Sequence, residues 1–274
     1  MLKIAVLAKE VPDSDIVDAM SFTGRLQVDS GTMDIRRDGI VVGMNSYDAQ
    51  AVEAAMRLRD AGVECTIRVL SVGGVSAETT MFRRAFALGA DEGYHLVDSN
   101  FAGADSAGTA RVLAAAIRHL GGADLVLCGR QGTDYDQGVV GPTVAALLGM
   151  PFISVAKDVQ IVSPGVARVV RVTPEGEETV DAELPAVVTV SSELGKPRYP
   201  TSMATMAARR KKAVTLSSAD IGLNGARIRA SAESVRRVKV AIPQHVGACQ
   251  FLEGDSAAEV AAQLAQALRK DGVI

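Results

Sequence analysis

Residues 125–149, "LVLCGRQGTDYDQGVVGPTVAALLG", decide how the chain folds. An apolar run leads into a polar loop, and the loop leads into an Ala/Leu segment that reads as a helix. Gly129, Gly132, Gly138 and Gly141 cluster at this handover. Glycine gives up the most backbone freedom on folding, so such a junction needs an offsetting interaction. One candidate is a ligand lying against the backbone N–H groups of a helix start.

The preceding chain repeats the same strand-then-helix unit. Residues 3–8 form a short apolar run of buried-strand type. Residues 45–61 read as a helix with Asn45 or Ser46 as cap, Asp48 in its first turn and Gly62 after its end. Strands are expected at 65–72, 93–97 and 123–129, and helices at 76–90, with Ser76 as cap, and at 105–121. Alternation of this kind means a parallel sheet covered by helices on both faces, a Rossmann-like α/β fold. Such sheets bind ligands beyond the carboxyl ends of their strands, which nominates the loops after each strand.

The pattern changes near residue 150. Residues 155–191 alternate apolar and polar residues around Gly-containing turns, which reads as antiparallel hairpins. Residues 213–252 are Arg-rich and weakly periodic and read as an extended arm. A stretch of that length without core periodicity is unusual within a compact domain and suggests wrapping around another chain. Residues 256–272 read as a final helix. The expected organisation is a nucleotide-binding domain over 1–190 and a loop and arm over 191–274.

The totals exclude several classes. The 274 residues are 48% hydrophobic and 22% charged, with net charge −3. That gives no bulk attraction to nucleic acid or to an anionic membrane. Aromatics are 4% with no Trp, too few for a stacking platform. Cys65, Cys128 and Cys249 are far apart, and His95, His119 and His245 lack ligand spacing, so neither metal site nor disulfide framework is expected. No apolar run reaches membrane-spanning length, and the chain reads as cytoplasmic. The dinucleotide and P-loop glycine fingerprints are missing, as is a nucleophile elbow. "SVGGVS" at 71–76 lacks the Asp of the ATP pyrophosphatase loop. There remains the surplus of polar side chains, Gln131, Thr133, Asp134 and Asp136, before the helix at 140. A plain cap needs one of them. Carboxylates suit ribose hydroxyls or an adenine amino group, and the N–H groups of Gly138, Val139 and Val140 suit phosphate.

Four stretches, 43–60, 82–98, 128–149 and 184–212, resemble the β subunit of electron transfer flavoproteins. The block "LPAVVTV", followed by "PRYPT" and Met203, is the most specific. The resemblance implies a non-enzymatic electron carrier that pairs with an FAD-bearing α subunit. It takes electrons from an acyl-CoA dehydrogenase or similar flavin dehydrogenase, in fatty acid oxidation for example. It passes them to a quinone oxidoreductase or ferredoxin, in one branch by electron bifurcation. The β subunit of this family buries AMP in the housekeeping branch and a second FAD in the bifurcating branch. Carried over residue by residue, the nucleotide contacts are Leu7, Ala8 and Lys9; Asn45, Ser46, Tyr47 and Asp48; and Val72. The main loop adds Gly129, Arg130, Gln131, Gly132, Thr133, Asp134, Tyr135, Asp136, Gln137, Gly138, Val139 and Val140. Leu194, followed by Lys196, Pro197, Arg198 and Tyr199, corresponds to the loop that recognises partner dehydrogenases, with Leu194 expected to be exposed. The housekeeping branch reads Asn-Gln-Thr-Gly where this chain has "GVVG" at 138–141, which favours FAD over AMP. The competing reading is a stand-alone adenine-nucleotide-binding regulator of the universal-stress type, which would end near residue 150.

Overall fold

The computed structural model describes residues 1–29, 31, 34–36, 38–224, 228, 238–242 and 249–274. Its elements in chain order begin with β1 (Leu2–Leu7), β2 (Glu10–Pro12), α1 (Ser14–Phe22), β3 (Val28–Asp29), β4 (Asp34–Ile35) and β5 (Val42–Met44). Next come α2 (Ser46–Asp60), β6 (Cys65–Val72), α3 (Met81–Leu88), β7 (Glu92–Leu96), α4 (Ser106–His119), β8 (Leu125–Gly129) and α5 (Val140–Leu148). The remaining elements are β9 (Phe152–Ser163), β10 (Val166–Thr173), β11 (Gly176–Glu183), β12 (Ala186–Val190), α6 (Ser202–Ala208), β13 (Val214–Leu216) and α7 (Ala257–Lys270).

The main sheet runs β11-β10-β9-β12-β8-β1-β6-β7-β13. From β9 through β13 in that order every pairing is parallel, while β10 pairs antiparallel with β9 and β11. One apolar core lies under α2 and α3 on one face, with Val52, Leu58, Phe82 and Leu127 fully or almost fully buried. A second lies under α4 and α5, with Val112, Ile117, Val126 and Val144 buried. Asp105 begins α4 by accepting from Gly108 N at 2.7 Å, and Ser256 begins α7 by accepting from Glu259 N. Both are ordinary N-caps that satisfy an orphan donor.

Three expectations are corrected. β12 is not a hairpin strand: it lies between β8 and β9, parallel to both, and all five of its residues are buried. A strand buried on both faces is uniformly apolar, and "AVVTV" carries no alternation from which to read a partner. The helix expected over 76–90 begins with a 3-10 turn, Val75–Glu78, and α3 has no side-chain cap. Ser76 Oγ instead donates to Glu10 at 2.7 Å, and Thr80 Oγ1 bonds the same carboxylate. The arm expected over 213–252 begins as an edge strand, since β13 pairs with β7. Asp98 fastens the turn after β13, accepting from Ser218 N at 2.8 Å and Ser218 Oγ at 2.6 Å. Much of the remaining arm, His245 included, lies outside the described residues. Met1–Val240 forms one compact unit and Ala241–Ile274 another, which contains α7. β13, although beyond residue 190, belongs to the main sheet.

Candidate functional site

β1 is followed in the sheet by β6 and β7 on one side, whereas β8 pairs on its other side. The strand order reverses between β1 and β8, and ligands of open α/β sheets bind in the crevice outside the strand ends at such a point. The expected nucleotide residues converge there. β1 delivers Leu7, Ala8 and Lys9; the start of α2 delivers Asn45, Ser46, Tyr47 and Asp48; β8 runs into the loop 129–139. Val72 ends β6, the neighbouring strand.

Asp48 ties these pieces together. It is 5% exposed, and its carboxylate accepts from Lys9 N at 2.7 Å and from Gly129 N at 2.9 Å. One side chain therefore satisfies a donor two residues beyond β1 and the last donor of β8. Burial raises its pKa to about 7, against the opposing pull of hydrogen bonds from Lys9 N, the Asn45 side chain and Gly129 N. The fit is close enough to demand glycine: a Cβ on Gly129 would lie 2.5 Å from Asp48 Oδ1 and from Tyr47 Cβ.

The loop is organised by its own polar side chains. Asn45 stands at the N-cap of α2, as expected, but its side chain makes no cap bond; its Nδ2 donates to Gln131 O at 2.8 Å and its Oδ1 accepts from Thr133 N at 3.2 Å. Lys9 Nζ lies 2.6 Å from Asp134 Oδ2 and 5.3 Å from the centre of the Tyr135 ring. Gln131 Nε2 donates to Asp136 Oδ1 at 2.9 Å, with Asp136 at φ +50°. Arg130 lies 5.8 Å over the Tyr47 ring, and Gln137 bonds Ser106 at the start of α4. Gly138 turns the chain at φ +62° into α5, whose first turn has no side-chain cap. Gly141 lets that helix approach the sheet, since a Cβ there would lie 2.7 Å from Thr189 Cγ2 and 2.9 Å from Cys128 Sγ. The result is a helix start whose N–H groups are available to an anion, flanked by Lys9 and several hydroxyl, amide and carboxylate groups. This donor set fits the phosphate and ribose of an adenine nucleotide, and Lys9 and Asp134 would hold them by exchanging their mutual pair for the ligand.

The recognition segment is placed differently from the expectation. Leu194 is not exposed: it ends a 3-10 turn, Ser192–Leu194, and is 4% exposed within the core under α2. Arg198 turns inward to Glu53 and Asp60. Of the group expected to face a partner, Lys196 and Tyr199 are exposed, Tyr199 by 84%, whereas Pro197 is partly buried. A leucine in a polar loop draws the eye in sequence, while the charged residue on the buried face of α2 passes unnoticed. Glu53 follows Ala49 by four and precedes Met56 by three, so helical periodicity already puts it on the core side. Leu194→Ala is therefore expected to lower stability by about 2–5 kcal/mol. Thermal unfolding of the variant checks this, and an unchanged melting temperature contradicts the core placement.

Among the described residues no helix is long and apolar enough to cross a membrane, and no group of three or more His, Cys, Asp or Glu side chains could hold a metal ion. A family model described as the electron transfer flavoprotein domain matches residues 32–221. The electron transfer flavoprotein subunit beta of Megasphaera elsdenii is 32% identical over 248 residues, covering 88% of each chain. The subunit beta of Thermoanaerobacterium thermosaccharolyticum is 36% identical over 219 residues, covering 80% of this chain and 79% of that one. Subunit CarD of the caffeyl-CoA reductase-Etf complex of Acetobacterium woodii is 32% identical over 273 residues, covering 100% of each.

Proposed function

The chain belongs to the electron transfer flavoprotein family, and from that membership we propose that it serves as the β subunit of a heterodimer carrying electrons between flavoproteins. The observation that supports this reading best is the match to named β subunits over most of the chain, with the expected nucleotide residues gathered where the strand order reverses. The universal-stress reading loses ground, because those matches extend well past residue 150 and β12 is integral to the sheet.

In this proposal the α subunit carries a redox FAD shared at the heterodimer interface, and the β site holds a second adenine nucleotide, FAD or AMP. The isoalloxazine of a bound flavin supplies the electron chemistry; the protein binds and orients it. Lys9 and the α5 N-terminus hold the phosphates, Asp134 and Asp136 meet the ribose or adenine, and Asp48 keeps β1 and β8 at the spacing the ligand needs. Gly138, Val139 and Val140 offer backbone donors only, which supports FAD over AMP, as does the full-length match to a subunit of a reductase-Etf complex. The electron donor is an acyl-CoA dehydrogenase or a similar flavin dehydrogenase. The acceptor is a quinone oxidoreductase or a ferredoxin. The chain has no turnover by itself, and residues beyond 190 contribute to the grip on the α subunit. The free thiols of Cys65 and Cys128 suit the reducing cytoplasm.

Co-expression with the α subunit of the same organism tests the reading. The expected result is a yellow complex of the two chains, bleached by a reduced flavin dehydrogenase. A colourless homodimer that binds or hydrolyses ATP contradicts it.

A further inference from the structure

Two segments leave neighbouring strands on the same side of the sheet. The loop 129–139 leaves β8, and residues 191–201 leave β12, with Val190 paired to Gly129. α2 lies across both departures. Its first turn holds the nucleotide loop through Asn45 and Asp48. Its later turns hold the second segment. Gln50 Nε2 donates to Gly195 O at 3.2 Å. Glu53, 6% exposed, accepts from the Arg198 backbone N–H at 3.1 Å, from Arg198 Nε at 2.7 Å and from Arg198 Nη2 at 3.2 Å. Arg198 Nη2 also donates to Asp60 Oδ2 at 2.7 Å, and Arg57 Nε donates to Glu53 Oε1 at 3.2 Å. Burial works against the Glu53 charge, but the Arg198 bonds outweigh it and hold the carboxyl below its usual range.

We propose that Glu53 and Gln50 are positioning residues that fix segment 192–199 onto α2, so that Lys196 and Tyr199 are displayed to a partner flavoprotein in register with the nucleotide site. The inference rests on the electron-carrier reading for the partner, and on the geometry alone for the clamp. Arg198 is consumed within the chain, and its planar fork meets Glu53 through two nitrogens while a third bond reaches Asp60, a geometry Lys cannot reproduce. An exposed loop has many conformations, and ordering it before docking removes a cost that binding would otherwise carry. The clamp ends at Tyr199, whose side chain receives none of these bonds and projects outward.

The test uses the heterodimer carrying Glu53→Gln and, separately, Arg198→Lys. Amide hydrogen exchange is followed in peptides covering 192–199 and 129–138. Steady-state reduction by an acyl-CoA dehydrogenase, itself reduced with its acyl-CoA, is measured with the heterodimer as varied acceptor. The expected result for Glu53→Gln is exchange at least tenfold faster at Arg198 and its neighbours, with 129–138 and nucleotide content unchanged. KM for the heterodimer should rise several-fold while kcat holds, and Arg198→Lys should give a smaller change of the same kind. Unchanged exchange over 192–199 in both variants overturns the clamp. Faster exchange with unchanged KM, or a loss confined to kcat, overturns the display role. Should Glu53→Gln fail to fold, Arg198→Lys decides the question. If the wild-type heterodimer accepts no electrons at all, the electron-carrier reading fails, and the exchange measurement still decides the clamp.

Discussion

Asp48→Ala is expected to empty the proposed nucleotide site and to destabilise the sheet beneath it. The carboxylate receives the Lys9 and Gly129 N–H groups at 2.7 and 2.9 Å in a position 5% exposed. Alanine leaves both donors without that acceptor, and a buried donor left unsatisfied costs about 1–3 kcal/mol. The total is therefore expected to be about 2–6 kcal/mol, a large share of a domain's net stability. Because the two donors sit just beyond β1 and at the end of β8, the loss is felt at the proposed nucleotide site. Urea unfolding and the nucleotide released after gel filtration measure both effects, and a variant with wild-type midpoint and full nucleotide content contradicts the role given to Asp48.

The same residue sets a pH dependence. Its folded pKa is raised to about 7, above the ordinary carboxylate range near 3.9. A raised pKa in the folded state means that the protonated form is the one folding favours. The contribution is fully present below the ordinary carboxylate range and is lost as pH rises through about 7. Asp48→Asn removes the titration while keeping the size. Its stability should follow a flatter pH profile than the wild type between about pH 4 and 7, and parallel profiles would assign the titration elsewhere.

Gly129→Ala is the second large effect. The added carbon would lie 2.5 Å from Asp48 Oδ1, 2.5 Å from Tyr47 Cβ and 2.8 Å from the Tyr47 carbonyl carbon. Two of these neighbours belong to the backbone or its first side-chain atom, so a rotamer change cannot clear them. α2 must shift away from β8, at a cost of about 1–3 kcal/mol or more. The shift also breaks the Asp48 bond to the residue-129 N–H. Gly132→Ala, in the same loop, is the control. Its added carbon meets Asp134 Oδ1 at 2.7 Å, the movable tip of a side chain, and the two Lys9 atoms nearby are 3.5 Å away. Its melting temperature should stay near the wild type. Equal losses for the two variants would mean that crowding of α2 is not what Gly129 prevents.

The sheet and its helices were legible where a single signal governed. The apolar periodicity over 105–121 marks α4, and the alternation around Gly165 and Gly176 marks the β9, β10 and β11 hairpins. Readings failed where a residue had two plausible partners and only the fold could choose. Ser76 and Asn45 both look like side-chain caps in sequence; Asn45 does hold the N-cap position, yet the Ser76 side chain meets Glu10 and the Asn45 side chain meets the 131–133 loop, each far along the chain. "AVVTV" is apolar on both faces, so nothing in it distinguishes a central parallel strand from a hairpin arm. Residues 10–44 offer no clear element in sequence, although they hold α1 and the short pairings β2–β5 and β3–β4. These strands are two or three residues long, and α1, at nine, buries none of its side chains, so they carry little periodicity. For the site, the meeting of the loops after β1 and β8 with the start of α2 was readable from their places in the alternation. The inward turn of Leu194 and Arg198 was not, because it depends on Glu53, 145 residues away from Arg198 in sequence, being carried to the core face of α2.

The proposed function requires that this chain itself hold an adenine nucleotide. The direct measurement is to denature the purified heterodimer and quantify released FAD and AMP against protein. The expected result is two adenine nucleotides per heterodimer, one of them FAD and the other FAD or AMP, falling to one in Asp48→Ala. A single adenine nucleotide per wild-type heterodimer, unchanged in that variant, would contradict it.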